Sequence, residues 1–178
     1  MADDYSAGSF EELAMPLFPR LYNFAHWLTQ DRAEAEDLVQ ETYLKALKGF
    51  GSFQQGTNFR AWMYKILRNT FLTSRTGLKA TMSSSLDDED DPIDEPATAA
   101  TPESVLLAHV DREAIENALE KVPVKFREII LLCDVEEMSY QQIADTLAVP
   151  IGTVMSRLSR ARKAMRELLA TRVRGVSR

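Results

Sequence analysis

Between Gly77 and Ala100 the chain has nothing from which to build a core. Its apolar residues follow no period, Ser83, Ser84 and Ser85 stand together, and Pro92 and Pro96 interrupt it. Asp87 to Glu95 holds seven acids and no base. Such a composition cannot bury enough apolar surface to offset the entropy of ordering. A chain of 178 residues divided in this way is expected to fold as two small domains joined by a flexible acidic linker. Fully extended, a linker of this length reaches roughly 80 Å, more than two turns of duplex DNA at about 34 Å each.

The linker also explains a misleading total charge. The net charge is −6, but without the seven acids the remainder is +1. Thr42 to Leu86 contains seven Lys or Arg and no acid, and Thr153 to Arg178 contains eight basic residues against Glu167 alone. Two basic surfaces separated by an acidic strap point to nucleic acid, which the sum would have excluded. The 45% hydrophobic and 27% charged residues are those of a soluble globular protein. No apolar run approaches the ~20 residues that span a bilayer, and the acidic N-terminus lacks a signal-peptide pattern. A cytoplasmic protein without membrane insertion is therefore expected. Cys133, the single cysteine, lies in an apolar helical run and is expected in the core. It and His26 and His109 are too scattered to form a ligand set, so neither metal nor cofactor is expected.

Every periodic stretch has a helical period, so the expected class is all-α. Residues 1–8 are expected to be disordered. Residues 9–76 form a three- to four-helix N-terminal domain. Ser9 and Glu12 make a capping box before an apolar face of Phe10, Leu13, Leu17, Leu21, Phe24 and Leu28. Pro16 and Pro19 must kink or divide that helix. Asp31 caps the next, which buries Ala35, Leu38, Val39, Thr42, Tyr43, Ala46 and Leu47. Its other face carries Glu34, Glu36, Asp37, Gln40 and Glu41, either a solvated surface or a dock for a partner. Gly49 and Gly51 break the chain, and Ser52 to Thr57 is a loop. From Asn58 a helix turns Phe59, Met63, Ile66, Leu67 and Thr70 inward. Arg60, Trp62, Tyr64, Lys65, Arg68 and Asn69 interleave aromatics with cations, a mixture that suits single-stranded nucleic acid. The competing expectation places Trp62 and Tyr64 in the core.

Residues 101–170 form a four-helix C-terminal domain. Thr101 and Pro102 open its first helix, and Val122-Pro123 separates that helix from an apolar one reaching Asp134. Ser139 and Gln142 form a capping box, and Ile143, Ala144 and Leu147 give the next helix one apolar face. Pro150 must end it by Leu147 or Ala148, with Ala148 in a left-handed position at a cost of about 1 kcal/mol. The last helix, from Ile151, sends Val154, Leu158, Ala161 and Met165 inward. Thr153, Ser156, Arg157, Arg160 and Lys163 fall on the other face. Two helices across a short turn, the second basic and hydroxylated outside, are a helix-turn-helix suited to the major groove. Residues 171–178 form a basic tail.

Three motifs together resemble the extracytoplasmic-function sigma factors, the small class that keeps only the second and fourth conserved regions. They are AEAEDLVQETYLKAL (Ala33 to Leu47), FQQGTNFRAWMYKILRNTF (Phe53 to Phe71) and VPVKFREIILLCDVEEMSYQQIADTLAVPIGTVMSRLSRAR (Val122 to Arg162). The resemblance implies a factor, not an enzyme, that recognises promoters and promotes strand opening for core RNA polymerase. Glu36, Asp37, Gln40 and Glu41 would bind the beta-prime clamp, and the beta flap would be a second contact on core polymerase. Phe53, Gln54, Gln55, Thr57, Asn58, Arg60, Trp62, Tyr64, Lys65, Arg68 and Asn69 would read and open the minus-ten element. Thr153, Ser156, Arg157, Arg160 and Lys163 would read the minus-thirty-five element. Met155 stands where many members have Arg. The family also implies an anti-sigma partner, and the second motif is similar to the subgroup whose partner binds zinc and senses thiol oxidation. The alternatives are a stand-alone helix-turn-helix regulator of the response-regulator type, which needs an α/β sensor half, and a nuclease or recombinase, which needs carboxylates within a basic surface.

Overall fold

The computed structural model describes residues 4–79 and 112–175, with the side chains of 9–76 and 112–171. Among the described residues every regular element is helical. Contacts gather the chain into two compact units, Met1–Asp88 with Gln141–Ala148, and Glu89–Tyr140 with Val149–Arg178. The helix that follows Ser139 therefore groups with the first unit, although its place in the sequence suggested the second.

In the first unit, α1 spans Asp4–Ala14. Its start corrects two expectations: the helix begins within the stretch expected to be disordered and runs through Ser9, which is not a cap. An acid at the first position suits a helix N-terminus as well as a capping hydroxyl does. Pro16 and Pro19 act as expected. A 3₁₀ turn, Met15–Leu17, divides α1 from α2, Phe18–Thr29. Because the turn redirects the chain, Leu13 leaves the common apolar stripe and is exposed, while Phe10, Leu21, Phe24 and Leu28 are buried. Tyr43 fastens the kink, its hydroxyl donating to the Ala14 carbonyl at 2.6 Å. Burial pushes the Tyr43 pKa up to about 12.

Asp31 caps α3, Arg32–Gly49, by accepting the Glu34 N–H at 2.9 Å; such a cap contributes about 1 kcal/mol. Ala35, Leu38, Val39, Thr42 and Ala46 are buried, and the Thr42 hydroxyl is satisfied by the Leu38 carbonyl at 2.7 Å. Leu47 is not on that face. It is 47% exposed, and Leu44 is 59% exposed. A short 3₁₀ turn, Phe50–Ser52, leads to a loop and then to α4, Phe59–Lys79. Helix α4 thus passes the expected linker boundary at Gly77; residues 80–100 of the linker lie outside the described residues. Helices α2, α3 and α4 pack mutually to form the core of this unit.

The second unit begins with α5, Arg112–Lys121; the expected opening of this helix at Thr101 and Pro102 lies outside the described residues. Pro123 precedes α6, Val124–Ile130, which continues as one π-helical turn, Leu131–Val135. Arg127 is 3% exposed, and its guanidinium donates to the carbonyls of Leu119, Glu120 and Val122 at 2.7, 2.9 and 2.9 Å. Those are the acceptors that the end of α5 leaves open. Burial lowers the Arg127 pKa, yet arginine remains charged in proteins. Helix α7, Tyr140–Leu147, groups with the first unit; α8, Ile151–Gly175, packs on α5 and α6. Helix α8 continues past Thr171, so the expected tail begins as helix.

Candidate nucleic-acid interface

The loop before α4 is built on aromatic rings. Phe53 stacks on Phe50 at 6.1 Å and meets Phe59 edge-on at 5.3 Å and Trp62 at 5.1 Å. Beyond this foot, Gln54, Gln55, Gly56, Thr57 and Asn58 are exposed. Thr57 closes the turn, its N–H and hydroxyl donating to the Gln54 carbonyl at 3.2 and 2.7 Å. Gly56 has φ +91, a conformation open to glycine and costly for other residues. Asn58 then caps α4 by accepting the Ala61 N–H at 3.1 Å. A polar loop tip is thereby held at the start of a helix by an apolar foot.

Helical spacing decides which α4 side chains can act together. Asn58, Trp62, Lys65 and Asn69 share one stripe, with Lys65 and Asn69 exposed, Trp62 half-buried, and half-buried Arg68 on the flank. Tyr64 does not belong to this surface. It is fully buried, with its ring edge-on to Phe24 at 5.1 Å. Interleaved aromatics do not show which ring faces the core; the arc that buries Met63, Leu67 and Phe71 is wide enough to include Tyr64. Arg60 lies at the first turn of that inward arc, away from Lys65 and Asn69. Phe53 serves as the foot of the loop rather than its tip.

On α3, Glu36, Asp37, Gln40 and Glu41 are exposed. Glu36 accepts from Arg32 at 3.0 Å, and Glu41 pairs with Lys45 at 2.7 Å. These exposed pairs contribute little to stability. Asp37, Gln40, Leu44 and Leu47 recur at helical spacing along one side, so the acidic face has an apolar continuation. Leu47, expected on the buried side, lies on this one, and Leu44, a leucine at an outward position, is the sequence signal for it.

In the helix-turn-helix segment, α7 ends at Leu147, Ala148 has φ +54, and α8 starts at Ile151, all as expected. The Pro150 carbonyl accepts the N–H groups of Thr153 and Val154 at 3.0 and 3.2 Å, opening α8. Ile143, Ala144, Leu147, Val154, Leu158 and Ala161 are buried. Thr153, Ser156, Arg157 and Arg160 are half-buried on α8, Lys163 is exposed, and Met155 is 49% exposed. Arg162 is held by Asp134, which accepts its Nη2–H at 2.6 Å; this bond raises the Arg162 pKa. Cys133, half-buried beside them, has its thiol pKa raised, first by burial and then by Asp134.

No helix among the described residues is long and apolar enough to cross a membrane. Residues 13–80 match the family model described as Sigma-70 region 2, and residues 112–165 match Sigma-70, region 4. The chain is 33% identical over 168 residues to the ECF RNA polymerase sigma factor SigE of Mycolicibacterium smegmatis, covering 94% of this chain and 64% of that protein. It thus spans less than two thirds of that relative's length. It is 34% identical over 151 residues to the ECF RNA polymerase sigma factor EcfG of Rhodopseudomonas palustris, covering 85% and 80%. The sigma factor RpoE, solved in complex with the anti-sigma factor NepR from Bartonella quintana, superimposes with a TM-score of 0.71 at 31% identity, covering 91% of this chain and 97% of that one. CnrH, solved in complex with the cytosolic domain of CnrY, shares the fold with a TM-score of 0.58 at 20% identity over 95% of each chain.

Proposed function

This chain belongs to the extracytoplasmic-function sigma factors of the sigma-70 family, and from that premise we propose how its parts divide the recognition of a promoter for core RNA polymerase. The observation that carries the proposal is the stripe of Asn58, Trp62, Lys65 and Asn69 beside an exposed polar loop. A flipped non-template base sits between the loop tip (Gln54, Gln55, Thr57) and Asn69, with Trp62 as a stacking wall. Lys65 and Arg68 contact backbone phosphates, while Arg60, on the inward arc, stands apart from them. Extruding a base costs a few kcal/mol, offset by stacking and edge hydrogen bonds. Phe53 supports the loop from beneath.

The second element is read by α8. Thr153, Ser156, Arg157 and Arg160 enter the major groove of the minus-thirty-five element, and Lys163 neutralises phosphate. Exposed Met155 offers no hydrogen bond to base or phosphate, which shifts the preferred sequence away from that of members with Arg at this position. The clamp of the polymerase docks on Glu36, Asp37, Gln40 and Glu41, with Leu44 and Leu47 as an apolar patch, and the beta flap receives the C-terminal half. The seven carboxylates of Asp87 to Glu95 suit a cleft lined with cations for nucleic acid. An anti-sigma factor covers these surfaces until induction. The chain contributes selectivity and strand separation, and the polymerase contributes the chemistry.

Run-off transcription with core polymerase on a promoter library tests this reading. Product is expected only when the chain is added. Asn69→Ala is expected to reduce product on duplex templates much more than on templates already mismatched across the minus-ten element. Equal loss on both templates would remove Asn69 from strand capture, and product without the chain would defeat the whole reading.

A further inference from the structure

Phe10 lies outside the segment matched by the region 2 model, which begins at residue 13. It is nonetheless buried, at 4% exposure, and its neighbours are the supports of the base-capture loop. Its ring meets Phe50 edge-on at 5.3 Å and Phe59 edge-on at 6.1 Å. Phe50 and Phe59 are in turn two of the three rings that hold Phe53, the foot of the loop. Helix α1, which supplies Phe10, is fastened one turn further on, at its C-terminal residue, by the Tyr43 hydroxyl on the Ala14 carbonyl at 2.6 Å. A short helix, pinned at its C-terminal end, thus places one ring against two of the rings that support the loop. Edge-to-face pairs are directional, so they fix the angle of a neighbouring ring as well as its distance.

We infer that Phe10 is a positioning residue for strand capture: through Phe50 and Phe59 it sets the pose of the loop that receives the flipped base. It touches no DNA and reaches the loop through those two rings, while its third edge-on neighbour, Tyr43 at 6.4 Å, ties it to α3. The inference rests on the proposed function, because the loop has a base to capture only if the chain opens promoters. Other places in the molecule offer less. The shallow cavity between α5 and α8, of about 460 Å³ and lined by Ala114, Asn117, Ala118, Lys121, Leu168 and Thr171, brings no charged or nucleophilic pair to a point. The exposed leucines of α3 already belong to the docking surface.

The test uses the full chain, core polymerase and a promoter carrying a fluorescent adenine analogue in the minus-ten element, whose emission rises when its base leaves the stack. Phe10→Ala is expected to slow that rise about fivefold to tenfold on duplex DNA, through the loss of the two directional contacts that reach the loop supports. On a premelted template the loss should shrink below about twofold, with core binding held within the same margin. Phe10→Leu, which keeps much of the apolar volume but not the ring edge, should recover part of the rate. Should Phe10→Ala fail to fold by circular dichroism, Tyr43→Phe decides. It removes only the hydroxyl that fastens α1, and it should slow opening in the same template-dependent way, to a smaller extent. Wild-type opening by a folded Phe10→Ala, or by Tyr43→Phe, overturns the inference. So does an equal loss on duplex and premelted DNA, which would make Phe10 part of the general core. A wild-type chain that gives no signal with core polymerase defeats the function itself, a result distinguishable from these.

Discussion

Arg157, half-buried on α8, follows Ser156, whose hydroxyl donates to the Thr153 carbonyl at 3.1 Å. A hydroxyl turned back on its own helix contributes less to recognition than a long guanidinium, which can bond one base edge through two N–H groups. Arg157→Ala is therefore expected to weaken binding to the duplex minus-thirty-five element by about 1 to 3 kcal/mol and relax selectivity at one base pair. Binding measured across a set of single-base variants checks this, and an unaltered sequence profile at lower affinity would reassign Arg157 to phosphate. Single positions were also where the sequence could be read most directly. Asp31 as a cap, Ala148 in the left-handed region and Pro150 between two helices each follow from local chemistry, and each stands as expected. Tyr64 does not, because its placement depends on how much of α4 the neighbouring helices cover, and no local rule contains that.

At the scale of an element, α3 has two incompatible demands on its surface. One side must bury Ala35, Leu38, Val39, Thr42 and Ala46, while the other keeps Leu44 and Leu47 in water, which is unfavourable unless a partner covers them. Flanked by Asp37 and Gln40, these leucines form a small apolar centre with a polar rim, the usual anatomy of a protein interface. Leu44→Asp is expected to reduce affinity for core polymerase by at least about 1 to 2 kcal/mol. Its thermal unfolding should be almost unchanged, because the side chain is already solvated. Loss of affinity only in step with loss of helical signal would mean that Leu44 supports the fold instead. The elements themselves were legible wherever period and punctuation agreed, as in the Pro16 and Pro19 break and the Gly49 stop. They were not where a helix outran its signals. Helix α1 begins five residues before the Ser9 capping box, and α4 continues past Gly77. Capping motifs mark where a helix can start; they do not prevent one from starting earlier.

The whole molecule is organised by its charge. A chain of net −6 carries two basic helical surfaces because seven of its acids are concentrated in nine residues. That partition, with the all-α pattern and the helix-turn-helix, is what points to nucleic acid as the class of partner proposed above. What the sequence left open was which α4 side chains act together, since that required the helix's inward arc and the aromatic foot of the loop. On the function proposed above, this chain opens promoter DNA only as part of a polymerase. Permanganate reactivity of unpaired thymines measures that directly. With core polymerase and the chain together, thymines of the minus-ten element should become reactive while flanking duplex stays protected. Either component alone should leave them unreactive. Reactivity with the polymerase alone equal to that with both, or none with both at a promoter the chain binds, would contradict the account.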